Sequence, residues 1–186
     1  MSELTVLTVP GLYNSGPQHW QSHWERQDPA HFRRVQQQNW DTPRAEDWIA
    51  ELDRAVIEAG PEVVLAAHSL ACCTVALWAC THKRALRGAM LVAPSDTESP
   101  AYPTGPKGFN PMPLEPIAFP TLVVASSNDP WVTLERAKKF ADAWGSRLVN
   151  IGDAGHVNSD VGYGPWPEGL VLLQSLRRGR RYLRAR

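Results

Sequence analysis

Short runs of apolar and β-branched residues alternate along this chain with segments whose apolar residues recur every three or four positions. The first pattern predicts buried strands and the second amphipathic helices. Strands are expected over residues 4–9, 62–67, 88–93, 121–126 and 147–151. A weaker, more polar strand over 32–37 belongs nearer a sheet edge. Helices are expected over 18–27, 41–59, 70–82, 134–144 and 167–178. In the first, Trp20 and Trp24 share a face. In the second, Trp48, Ile49, Leu52, Val56 and Ile57 follow the helical period until Gly60-Pro61 stops it. Thr133 caps the fourth helix and Gly145 ends it. Continuous apolar strands alternating with helices predict an α/β fold: a compact, mostly parallel sheet of about six strands, covered on both faces. Residues 1–186 read as a single domain.

One junction departs from simple alternation. Val63-Val64-Leu65-Ala66-Ala67-His68-Ser69-Leu70-Ala71 runs from strand straight into helix around a serine. A sharp turn there is a nucleophile elbow, which lifts the hydroxyl out of the sheet at a helix N-terminus. The usual Gly-x-Ser-x-Gly flanks are here Ala67 and Ala71, the next-smallest residues. A more crowded turn is therefore expected.

A serine hydroxyl needs a base near neutral pKa to become nucleophilic, which points to histidine. Of six histidines, His156 stands apart in Gly152-Asp153-Ala154-Gly155-His156-Val157-Asn158, directly after the last strand. Loops beyond the carboxyl ends of parallel strands are where ligands bind. His68 adjoins Ser69 but faces away across the turn, and is expected to be structural. Asp129, just past the fifth strand, is the expected carboxylate that orients the base, ahead of Asp153 and Asp160. The order serine, acid, histidine is that of α/β-hydrolases. Backbone amides of Leu70 and Leu12 are the expected oxyanion donors, with Tyr13 as the fallback for the second. Trp131 and Tyr13 are expected to line the substrate pocket, with Trp20, Trp24 and Trp166 near the site loops.

Composition narrows the class further. The 19 basic and 19 acidic residues balance, so no overall field attracts nucleic acid or membrane lipid. No apolar run has membrane-spanning length, and the N-terminus lacks the pattern of a secretion signal, so a cytoplasmic location is expected. Cys72, Cys73 and Cys80 fall in one helix without metal-ligand spacing, which predicts small buried apolar residues and no metal site. Residues 94–120 hold eight of the sixteen prolines and should form a loop. That loop is either a plain surface crossover or folds Phe109 or Met112 over the site. Residues 177–186 carry six arginines and are expected to be a solvated basic tail.

Taken together, Val9-Pro10-Gly11-Leu12-Tyr13-Asn14-Ser15-Gly16-Pro17 with His19-Trp20 and Trp24, His68-Ser69-Leu70, Ala125-Ser126-Ser127-Asn128-Asp129-Pro130, and the loop 152–158 resemble one family. It is the group of small serine hydrolases that are retinoblastoma-binding-protein-9-like or YdeN-like, within the α/β-hydrolase superfamily. The resemblance spans nearly the whole chain. It implies an α/β-hydrolase fold without a helical lid domain, a triad of Ser69, Asp129 and His156, and hydrolysis of small esters or amides without metal or organic cofactor. A protein partner is not specified by these residues. The alternative is a catalytically weak member acting as a protein-interaction module.

Overall fold

The computed structural model describes residues 5–177. Most of the basic tail at 177–186, and Leu4 of the first expected strand, lie outside the described residues. Six strands form one sheet: β1 Val6–Val9, β2 Phe32–Arg34, β3 Val64–His68, β4 Gly88–Val92, β5 Thr121–Ala125 and β6 Arg147–Asn150. They lie in the order β2-β1-β3-β4-β5-β6, and every neighbouring pair is parallel. Among the described residues, α1 Trp20–Gln27, α2 Ala45–Ala59, α3 Leu70–Thr81 and α4 Leu134–Trp144 lie between strands, and α5 Pro167–Arg177 follows the last one.

Alternate residues of each strand feed two separate cores, as the pleat requires. Val6, Val64, Ala66, Met90, Val92, Leu122 and Val124 pack with Trp20 and Trp24 of α1 and Leu173 of α5. On the other face, Leu7, Leu65, Ala67, Leu91, Val123 and Ala125 pack against α2, α3 and α4. The central strands are buried on both faces, which explains their unbroken apolar sequence. The chain moves outward from β1 to β2, then crosses back through α2 to β3. The carboxyl ends of β1 and β3 therefore border a crevice where strand order reverses.

Several boundaries differ from expectation, each for a local reason. The second strand ends at Arg34, whose side chain turns in to bond the loop after β1. The second helix starts at Ala45 rather than 41, because Pro43 O and the Ala45 N–H pair with Lys107 of the Pro-rich segment. Along α2 the buried stripe is Ala45, Trp48, Leu52 and Val56, while Ile57 is 57% exposed. Ile57 is thus not a core residue. The segment 94–120 contains no helix. Phe109 and Met112 do not fold over the sheet's upper edge. Both are buried in the α2/α3 core, where Phe109 meets Trp48 edge-on at 5.7 Å and its carbonyl accepts from Cys73 Sγ and Thr97 Oγ1.

Truncating Leu52 to alanine is expected to remove about 2–5 kcal/mol of stability, read as a lower urea midpoint at unchanged slope. Ile57→Ala should stay within about 0.5 kcal/mol of the parent. Equal effects would contradict the assignment of the buried stripe.

Candidate active site

Ser69 is the N-cap of α3 and sits at φ 59, ψ −125, a conformation that few non-glycine residues adopt. Its N–H donates to Val92 O at 3.0 Å, which fixes the turn against β4. The flanking alanines fit because close approach is provided elsewhere. A Cβ built on Gly11 would stand 2.8 Å from both His68 O and Ser69 Cβ, and 3.2 Å from Leu70 N. The loop after β1 therefore lies directly against the elbow, and only glycine fits at that contact.

Three distant side chains meet there. His156 Nε2 lies 2.8 Å from Ser69 Oγ, and His156 Nδ1 lies 2.9 Å from both carboxylate oxygens of Asp129. The Asp129 side chain is fully buried and also accepts the Trp131 N–H at 2.9 Å. A carboxylate at that distance makes Nδ1 the protonated nitrogen and leaves the Nε2 lone pair facing the serine. Asp153 and Asp160 do not join this line, and both are exposed. The loop carrying His156 is pinned by Asn128 and Ser126. Gly155 N donates to Asn128 Oδ1 at 2.7 Å, and Ala154 N to Ser126 Oγ at 2.9 Å.

Of the expected backbone donors, the Leu12 and Leu70 amides have no hydrogen-bond partner among the described residues, and both residues border the elbow. The fallback does not hold, because the Tyr13 N–H donates to Trp40 O at 2.9 Å. Tyr13 and Asn14 both have left-handed backbone, at φ 65 and 66. That strained turn is braced by Arg34, which donates to Asn14 Oδ1 at 3.0 Å and Ser15 O at 2.9 Å. Gln21 braces it from below, donating to Val9 O at 3.1 Å and Ala66 O at 2.8 Å while accepting from Ser15 Oγ.

Two further histidines stand in a row behind His156. The rings of His19 and His68 are 4.7 Å apart, and those of His68 and His156 are 4.9 Å apart. His68 Nε2 donates to the His156 carbonyl at 2.8 Å, so the residue facing away from Ser69 still anchors the neighbouring loop. Burial, then the nearby His19 and His156, hold His68 well below the usual histidine range. His19 caps α1 by accepting from Gln21 N at 3.2 Å. Burial, the Arg34 guanidinium and His156 push it down to about 3. Both rings are therefore neutral near pH 7. Burial also pushes the thiols of Cys72 and Cys73 up, which leaves them protonated and unreactive.

Ser69 and His156 open into a cleft of about 350 Å³. Its lining includes the aromatic residues Tyr13, Tyr102 and Trp131 and the polar residues Asn14, Asn158, Ser159 and Asp160. Trp131 is 37% exposed and meets the His156 ring edge-on at 6.5 Å. Trp20, Trp24 and Trp166 do not reach the cleft. They form a buried cluster between α1 and the segment before α5, with centroids 4.5–5.8 Å apart. The Pro-rich segment contributes Tyr102 and Pro103 instead of Phe109 or Met112. Among the described residues, no three of His, Cys, Asp and Glu converge as metal ligands, and no helix is long and apolar enough to cross a membrane.

Residues 6–175 match the family model described as serine hydrolase. The chain belongs to the serine hydrolase family. A YdeN-like hydrolase from Pectobacterium atrosepticum is 35% identical, with 95% of this chain and 91% of that chain covered and a TM-score of 0.83. The ydeN gene product of B. subtilis is 21% identical, covering 94% and 98%, with a TM-score of 0.72. A thermophilic esterase from Thermogutta terrifontis shares the fold at 17% identity, covering 95% and 89%, with a TM-score of 0.63. No curated protein matches the sequence. The protein is thus a hydrolase with the α/β-hydrolase fold.

Sequence reasoning passed over four residues of this serine hydrolase's site: Arg34, Gln21, Ser95 and Tyr102. Ser95 follows β4 at the same sheet edge as Ser69, Asp129 and His156, and that shared edge is the signal that could have found it. Arg34 and Gln21 act through partners distant in sequence, which no local pattern reveals.

The neutral histidines make stability depend on pH. Above about pH 6.5 neither the folded nor the unfolded chain protonates them, and stability is complete. Below that value the unfolded chain takes up protons that the folded chain refuses. Stability then falls by up to about 1.4 kcal/mol per group per pH unit, for His19 until about pH 3. His19→Asn keeps a capping acceptor but cannot titrate. Urea unfolding at pH 7 and pH 5 is expected to show a smaller loss in that variant than in the parent. An identical loss would contradict a neutral buried His19.

Proposed function

We propose that this serine hydrolase cleaves small esters or amides through an acyl-enzyme, with Ser69 as nucleophile, His156 as base and Asp129 as the orienting carboxylate. The observation that carries this reading is the unbroken line from Asp129 through His156 to Ser69 Oγ, with 2.9 and 2.8 Å steps. It ends on a serine held at a backbone angle that residues with side chains rarely adopt, a kind of strain that clusters at functional sites.

In this mechanism His156 Nε2 accepts the Ser69 proton as Oγ attacks the carbonyl carbon. The buried Asp129 stabilises the resulting imidazolium without itself taking the proton. The carbonyl electron pair moves to oxygen, where the Leu70 and Leu12 amides hold the charge. As the intermediate collapses, His156 protonates the leaving alcohol or amine. Water then repeats the sequence on the acyl group and frees Ser69. A cleft of about 350 Å³ walled by Tyr13, Tyr102 and Trp131 favours a short acyl or aromatic group. Small-molecule substrates also agree with the family, and the esterase fold relative is compatible with ester chemistry.

Ser69→Ala is expected to lower turnover of p-nitrophenyl esters by about 10⁴–10⁶-fold, and Asp129→Asn by about 10⁴-fold. Asp153→Asn should be close to the parent. A fluorophosphonate probe should form one covalent adduct, mapping to Ser69. A folded protein that takes up no probe would instead favour the interaction-module alternative.

A further inference from the structure

Ser69 Oγ has a second hydrogen-bond partner that the cycle above does not use. The Ser95 hydroxyl lies 2.8 Å from it, the same distance as His156 Nε2. Ser95 is 1% exposed, so this contact is built into the site rather than exchanged with solvent. The backbone on either side is held firmly. Ala93 N donates to Val124 O at 2.8 Å and Asp96 N to Trp131 O at 2.9 Å. The Asp96 carboxylate receives two bonds from Arg136, each 2.8 Å. Tyr102 of the Pro-rich segment lines the same cleft as Ser95.

Counting protons fixes the direction of these bonds. With Nδ1–H given to Asp129, His156 Nε2 is bare and must accept, so the Ser69 proton occupies that bond. A hydroxyl has one proton. The bond between the serines must therefore run from Ser95 O–H to Ser69 Oγ. We propose that Ser95 is a catalytic hydrogen-bond donor to Ser69 Oγ which acts mainly when that oxygen is the leaving group, speeding breakdown of the acyl-enzyme. The proposal rests on the triad reading given above.

The asymmetry comes from the two roles of one oxygen. During acylation Oγ is the nucleophile. A donor stabilises its charge as the proton leaves but also ties up a lone pair, and these effects oppose each other. During deacylation, water bonds to the acyl carbon and gives a proton to His156 Nε2, while the carbonyl electron pair moves to the oxyanion. On collapse the carbonyl re-forms, the C–Oγ bond breaks, and its electron pair stays on Oγ. The proton returns from Nε2 to Oγ. As charge builds there, the Ser95 hydrogen bond becomes charge-assisted and strengthens. No proton leaves Ser95, and no other reactant is required.

The test separates formation of the acyl-enzyme from its decay. Full-length parent, Ser95→Ala and Ser95→Cys proteins are mixed with p-nitrophenyl acetate at single turnover, and the acylated species is followed by mass spectrometry. Fluorophosphonate labelling is timed in parallel. Ser95→Ala is expected to form the acyl-enzyme and to label within about threefold of the parent, while decay slows by about 10- to 100-fold, the range for one hydrogen bond to a charged group. Ser95→Cys, which keeps the side chain's shape with a weaker donor, should fall between the two. Unchanged decay in both variants overturns the proposal. Formation and decay slowed by one common factor overturns it too, since Ser95 would then only hold the nucleophile in place. A parent protein neither acylated nor labelled at Ser69 instead removes the triad reading on which the proposal stands.

Discussion

A left-handed backbone at Ser69 is the constraint around which this molecule is arranged. An L-residue with a side chain keeps such a conformation only when its surroundings leave no alternative. Here the register of β3 against β4 delivers the Ser69 amide to Val92 O, and α3 begins at the next residue. Gly11 lies so close behind that even a methyl group would collide with the elbow backbone. The strained turn holds one hydroxyl above the sheet, at the crevice where strand order reverses. Ser69, Ser95, Asp129 and His156 are all brought to that point by loops that follow the carboxyl ends of parallel strands.

Around the elbow, polar groups inside the protein are matched in chains rather than singly. Arg34 and Gln21 brace the strained loop after β1, and His68 holds the carbonyl of His156. Buried networks of this kind specify one geometry, because a missing member leaves others unsatisfied in a low-dielectric interior. Keeping His19 and His68 uncharged matters for the same reason. In the proposed cycle, a cation beside His156 would disfavour the imidazolium that forms when Ser69 gives up its proton.

Much of the fold was legible because it depends on local periodicity. Four of the strands, β1, β3, β4 and β5, are continuous or nearly continuous apolar runs, and α4 spans the residues its Thr133 cap and Gly145 stop indicate. The errors fall where distant contacts decide the outcome. Ile57 fits a helical period yet faces solvent, since α2 turns its stripe toward Trp48, Leu52 and Val56. The tryptophans near the site loops are core residues, apart from Trp131. In the Pro-rich segment, pattern could not say which aromatic turns inward, and Phe109 went to the core while Tyr102 went to the cleft. For the site, Ser69, Asp129 and His156 could be nominated because each follows a strand. Ser95 met the same condition but sat among prolines that drew attention to the loop.

Base action at Ser69 depends on which nitrogen of His156 carries the proton. Its most direct test is the tautomer of His156, read by NMR of protein labelled with ¹⁵N-histidine and assigned by loss of the signal in His156→Gln. The expected result is an imidazole protonated at Nδ1, its resonance shifted downfield by the carboxylate and altered in Asp129→Asn. A ring protonated at Nε2 near neutral pH, unaffected by that substitution, would contradict the relay and the reading built on it.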